Sequence, residues 1–171
     1  MHWVQALIAP RDILIQTCST LPSAVICPLQ QGLSLLPVTH AVEHELQTSS
    51  WSLKEPNPPL AEDMAPGLAP LAAELSQHGP VLYAATFFHG GIGYQDALVW
   101  EEGRLALKLS DTPQEMSSWP DTPISLALRH LGIVAKPGLD EFDSIGLGLH
   151  RSNESWASEY AQIEPASRSR T

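Results

Sequence analysis

The stretch PVLYAATFF, residues 80–88, restricts the fold more than any other part of this chain. Successive side chains of a strand point to opposite faces. Val81, Tyr83, Ala85 and Phe87 therefore take one side, and Leu82, Ala84, Thr86 and Phe88 the other. Both sets are almost wholly apolar, which marks a central, covered strand. YQDALVW (94–100) and RLALKLS (104–110) read as two further strands, with the tight turn Glu101-Glu102-Gly103 between them. Residues 80–110 are thus expected to form a three-stranded meander. The glycine-rich step HGGIG (89–93) is its first corner, where glycine supplies the positive φ that a tight hairpin needs. A phosphate-holding loop would need a lysine and a Ser or Thr after the glycines, at the start of a helix. Tyr94, Gln95 and Asp96 follow instead, on a strand. If this turn carries function, it does so by shaping a binding surface with His89, Tyr94 and Gln95 as contacts.

The rest of the chain supplies helices and a second group of strands. WVQALIA (3–9) alternates as a strand, Pro10 opens a short helix, and SAVICPL (23–29) and LSLLPV (33–38) are two more strands. Residues 39–47 are a helix with Thr39 as its N-cap. Four prolines break periodicity over 48–66, which reads as a linker. Leu68, Leu71, Ala72 and Leu75 make the apolar stripe of a helix ended by Gly79. TPISLALRHLG (122–132) is the strongest helical signal, with Pro123 at the first position, Ile124, Ala127, Leu128 and Leu131 on one face, and Arg129 and His130 in the last turn. Residues 136–152 read as a glycine-punctuated, solvated acidic loop, and 153–163 as a short helix capped by Asn153. The expected class is α+β: an antiparallel sheet with helices packed on one face. Its parts are an N-terminal β-α-β-β-α subdomain (1–47), the linker (48–66), a C-terminal α/β-meander/α portion (67–163) and a disordered tail (164–171).

Composition narrows the partner. Of 171 residues, 43% are hydrophobic, enough for a core. Only 16% are charged, yet the formal net charge is −10, so the few charges are mostly negative. Such a surface repels phosphates, and the nine Lys and Arg are scattered, which argues against nucleic acid as a partner. The start MHWVQALIAP lacks a basic residue before an apolar run, and no stretch reaches the ~20 apolar residues of a membrane span. The expected setting is cytoplasmic, with no membrane partner. The two cysteines, Cys18 and Cys27, are expected as free thiols, with a bridge between them left open. They lie in apolar surroundings, which argues against a thiolate nucleophile. Of the five tryptophans, Trp51 and Trp119 are the candidates for an interface anchor, while Trp3, Trp100 and Trp156 read as core or rim.

Two segments invite a chemical reading. HAVEH places His40 and His44 four apart on one helix face around Glu43, in the H-x-x-E-H order of inverted zinc peptidases. Such a site needs a third ligand, for which Glu74 is the candidate. The plain alternative, an exposed polar face with Val42 and Leu46 packed inward, is preferred, and no cofactor is expected. LDEFDSIG gathers Asp140, Glu141 and Asp143 but lacks the ligand spacing of a calcium loop. It reads as a negative patch for a basic partner, with Glu101 and Glu102 as a second patch. No serine stands in a nucleophile elbow.

The set GPVLYAATFFHGGIGYQDALVW, PISLALRHLGI and DEFDSIGLGLHRS resembles a family of small bacterial proteins. There an aromatic strand enters a Gly-Gly-x-Gly turn and is followed by a strand ending in Val-Trp. The likeness covers residues 67–156. Its members resemble immunity proteins that accompany polymorphic or contact-delivered toxins. The resemblance implies a non-enzymatic acidic protein that neutralises a basic toxin domain by direct binding, and it carries no catalytic residue across. Two other readings stand beside it: a metal-dependent hydrolase built on HAVEH, and a structural subunit of a larger complex. A homodimer is compatible with each.

Overall fold

The computed structural model describes residues 1–112 and 114–161. Its centre is a six-stranded antiparallel sheet in the order β2-β3-β1-β4-β5-β6. The strands are β1 His2–Ala9, β2 Cys27–Pro28, β3 Ser34–Pro37, β4 Val81–His89, β5 Ile92–Glu101 and β6 Arg104–Ser110. The meander is present as β4-β5-β6. β1 pairs with β4 from His2↔Phe88 to Ile8↔Leu82, and on its other side with β3 from Ala6↔Pro37 to Ala9↔Ser34. The segments before and after the Pro-rich 48–66 stretch therefore contribute to one sheet. That stretch runs against it and buries Ala61, Met64 and Ala65. Of the expected strand at 23–29, only Cys27–Pro28 pairs, as the short outer strand.

Helices cover both faces of the sheet, a correction to the single helical face expected from sequence. Leu7, Leu36, Tyr83, Leu98 and Trp100 pack with α1 (Arg11–Leu14), α2 (His40–Gln47) and α3 (Leu68–Leu75). Val4, Ile8, Leu35, Leu82, Ala97 and Val99 pack with α4 (Pro123–His130), α5 (Glu141–Ser144) and α6 (Asn153–Tyr160). The cause lies in the alternation of β1, β4 and β5. An antiparallel sheet with one wet face alternates apolar and polar residues, whereas here both alternating sets are apolar over most of each strand. A single helical layer would leave Leu82, Ala84 and Val99 in water, at roughly 1.5–3 kcal/mol for each large side chain.

Local signals explain most boundaries. The Thr39 hydroxyl accepts from the Val42 N–H at 3.2 Å and caps α2. Pro123 opens α4, although the Thr122 side chain makes no capping bond. Gly90 and Gly91 have φ of 60° and 82° between the paired residues His89 and Ile92. That is a two-residue hairpin with both central residues left-handed. A Cβ at either glycine would meet nothing within 4 Å, so glycine is there for its backbone freedom alone. Ser152, one residue before the expected Asn153, caps α6 by accepting from the Ser155 N–H at 3.1 Å. The tail 164–171 and the last two residues of the expected 153–163 helix lie outside the described residues.

Candidate functional site

The acidic segment 140–143 is part of the core and not a solvated loop. It contains α5, and Asp140 and Glu141 are each only 4% exposed. Asp140 caps the helix: its Oδ1 accepts from the Asp143 N–H at 2.9 Å, and its Oδ2 accepts from the Ser125 hydroxyl at 2.9 Å. Arg129 forks onto Glu141 at 2.8 and 3.2 Å and reaches Asp121 at 3.1 Å. The hydrogen bonds from Arg129 hold the Glu141 carboxyl below its ordinary range. As a contact patch the trio is corrected by this geometry, since only Asp143 is exposed. The cation expected at the end of α4 meets the anion at the start of α5: Glu141 is withdrawn from the surface, while Arg129 stays about half exposed with its charge matched. Of the second patch, Glu101 is hydrogen-bonded to the His130 ring at 2.9 Å, and Glu102 is exposed in its turn at φ 51°.

The HAVEH residues occupy α2 as expected, with Val42 and Leu46 buried and His40 and His44 exposed. Glu74 accepts from the Trp51 indole N–H at 2.6 Å. Among the described residues no three His, Cys, Asp or Glu side chains are arranged to hold a metal ion, so His40, His44 and Glu74 do not form a ligand set. Cys18 and Cys27 are not bridged to each other, and burial pushes the Cys27 thiol up to about 12. Trp119 is 60% exposed and is not among the residues lining the cavities described next.

The functional geometry gathers at the end of the sheet where β1 begins and β4 turns into β5. On the face covered elsewhere by α1–α3, the helical layer stops short of this end. Trp3, Phe87 and Tyr94 form an aromatic row: Trp3 meets Phe87 edge-on at 6.0 Å, and Phe87 stacks on Tyr94 at 5.4 Å. Trp3 remains 47% exposed. The loop carrying Glu62 and Asp63 folds over the row. Gln5 clamps it from β1, donating to the Asp63 carbonyl at 2.6 Å and accepting from the Ala65 N–H at 3.2 Å. The Asp63 carboxylate accepts a short hydrogen bond from the Tyr94 hydroxyl.

Asp63 thereby stands between two cavities. One, of about 530 Å³, is lined by Glu62, Tyr94, Asp96, Lys108 and Asp111. The other, of about 510 Å³, is lined by Trp3, His40, Glu43 and Glu154. Carboxylates dominate both. Burial raises the Asp96 carboxyl above its ordinary range, and nearby Asp63 adds to this, while a Ser110 hydrogen bond and the Lys108 charge oppose it. Burial and the bond to Asp63 also push the Tyr94 phenol up, which keeps it a hydrogen-bond donor. Behind them Tyr83 is fully buried, its hydroxyl without a well-formed hydrogen bond. Each cavity thus sets one aromatic side chain of the row, Tyr94 or Trp3, beside carboxylates, an arrangement that attracts cations both by charge and through the ring faces.

The sequence groups His89, Tyr94 and Gln95 as contacts of one turn; Tyr94 lines this cavity, His89 and Gln95 line a different one, and Trp3, Phe87, Asp63 and Asp96 are not singled out by it. A signal for Asp96 was available: it interrupts the face that Leu98 and Trp100 continue. Asp63 carried none, because its loop is brought to the sheet by long-range contacts: the Gln5 clamp, the Tyr94 bond and the burial of Ala61, Met64 and Ala65. Comparison with protein-family models, with curated proteins and with solved structures finds no match. Among the described residues no helix is long and apolar enough to cross a membrane.

Proposed function

We propose that this chain is a non-enzymatic acidic binding protein of the immunity type, which neutralises a basic toxin domain by docking it on the aromatic-acidic groove. One observation carries this reading: the row Trp3–Phe87–Tyr94 surfaces where the helical layer ends and is bordered by Glu62, Asp63 and Asp96. A lysine or arginine entering there finds ring faces and carboxylates together. The groove is pre-shaped by the Gln5 clamp and the Tyr94–Asp63 bond, which lowers the ordering cost of association. The net charge of −10 speeds encounter with a basic partner. Asp143 and Glu102 remain exposed acidic residues that add to the long-range field and not to the contact itself.

Co-expression tests the reading. The product of the reading frame adjacent to this gene, expressed alone, is expected to arrest growth, and this chain is expected to restore it. The variant Trp3→Ala with Glu62→Lys and Asp63→Lys is expected to fold and to lose that protection. Absence of rescue by the unaltered chain sinks the immunity assignment. Full rescue by the folded variant sinks the groove as the docking face.

A further inference from the structure

At the same end of the sheet, the opposite face holds a cavity of about 430 Å³ with the reverse chemistry. Its lining includes His2, Thr86, Phe88, Gln95, Phe142 and Arg151. His2 and Phe88 are register partners on β1 and β4, so their side chains stand together on the α4–α6 face. Among the described residues Arg151 makes no ion pair, and its guanidinium is exposed at the cavity wall. The His2 Nε2 is buried and has no hydrogen-bond partner. An unmet polar atom at this depth carries a cost, and a turn of the half-buried His2 ring toward the cavity brings that atom to a ligand oxygen and removes it. The Gln95 side chain gives its carbonyl oxygen to the Ile124 N–H at 3.0 Å, which leaves its NH₂ group as a donor. Among the described residues no carboxylate lines the cavity. In a chain of net charge −10, such a pocket does not follow from composition.

We propose that this cavity binds the carboxylate of a small organic monoanion, with Arg151 and His2 receiving the anionic group and Phe88 and Phe142 flanking its apolar remainder. The guanidinium fork matches a carboxylate in two parallel hydrogen bonds. A neutral imidazole still supplies one N–H to an oxygen. Among the described residues lining the cavity, which include His89, Arg151 is the one permanently charged side chain, and with neutral imidazoles around it this suits a single negative charge better than a phosphate dianion. Phe88, 53% exposed, gives the organic part an apolar wall to cover. The proposal stands apart from the acidic groove, which lies on the other face and would take ligands of opposite charge.

Benzoate, acetate, inorganic phosphate and the neutral isostere benzamide are the probes. Each is titrated into the full chain above the ordinary imidazole pH range at fixed ionic strength, and read by NMR at the His2 ring, the Arg151 side chain and the Phe88 and Phe142 rings. Benzoate is expected to saturate these signals and to bind more tightly than acetate. Benzamide is expected to bind about tenfold or more weakly, as loss of a charge-assisted pair implies. Arg151→Gln, at an exposed position, is expected to weaken benzoate by a similar factor. His2→Phe, which removes the donor and keeps the ring, provides a second variant. Equal binding of benzoate and benzamide overturns the proposal, as does unchanged affinity in both variants. Tighter binding of phosphate than of benzoate, or no saturable response to benzoate, overturns it too.

Discussion

Two acidic regions of this molecule use the same residue types to opposite ends. In 140–143 two carboxylates adjacent in sequence are buried and matched: Asp140 caps α5 and Glu141 is held by Arg129. At the open end of the sheet Glu62, Asp63 and Asp96 come from two distant segments and leave the groove with an excess of negative charge, moderated by Lys108. The difference teaches that a run of acids says little about where a protein is acidic. A matched carboxylate stabilises the fold, and its field is cancelled locally. An unmatched carboxylate costs stability and leaves its field available to a partner.

The largest effect separating the two regions is on stability. Asp140→Ala removes the α5 cap and the partner of the Ser125 hydroxyl, and is expected to cost about 2–4 kcal/mol in urea unfolding. Asp63→Ala, which removes one bond at the surface, is expected to cost no more than about 1 kcal/mol. Equal costs would erase the distinction between a structural and a functional acid. The second effect is kinetic and runs the other way. Glu62→Lys with Asp63→Lys is expected to slow association with the proposed basic partner by about tenfold at low salt, with the gap closing as salt is raised. A salt-independent rate in the unaltered chain would remove the electrostatic role of the groove.

Much of the architecture was legible because it rests on local alternation. The meander, the glycine hairpin, the Thr39 cap and the Pro123 start are all written in a few neighbouring residues. The second helical layer was implied by the two apolar faces of PVLYAATFF, yet which helices fill it depends on connections the strand itself does not encode. The groove was less legible still. Tyr94 and Asp96 share a strand face, but their partner Asp63 sits more than thirty residues earlier in a Pro-rich stretch. Its position depends on the Gln5 clamp, a contact between β1 and that stretch. Arg129 shows the same limit from the other side: its place at the end of α4 was readable, and its fork onto Glu141 was not.

Acid titration sharpens the comparison by sign. The Glu141 carboxyl is held low in the fold, so over the interval between its folded and unfolded values the unfolded chain binds more protons. Its contribution is complete above the ordinary carboxylate range and is lost as pH falls through the folded value. The Asp96 carboxyl is raised, so the folded chain holds the proton longer. Stability from this group falls as pH rises from the ordinary value through the folded one, and the penalty persists at neutral pH. Glu141→Gln is therefore expected to lower the neutral-pH Tm and flatten its acid-side decline. Asp96→Asn is expected to raise the neutral-pH Tm. Shifts of the same sign in both variants would mean that the two environments are alike.

The smallest expected effect tests what holds the groove in shape. Tyr94→Phe deletes the hydroxyl that Asp63 accepts from and leaves the Phe87 stack in place. The loop over the groove is still fixed by Gln5 through the Asp63 carbonyl and the Ala65 N–H. Stability is expected to change by less than about 1 kcal/mol, because the one freed group, the Asp63 carboxylate, lines two open cavities and regains water. The Ala65 amide is expected to keep its protection from hydrogen exchange in Tyr94→Phe and to lose it in Gln5→Ala. If Tyr94→Phe alone exposes that amide, the phenol is the true fastener. The carboxylate of Asp63 would then be committed to the fold, as Asp140 is, and the groove would lose its central free acid.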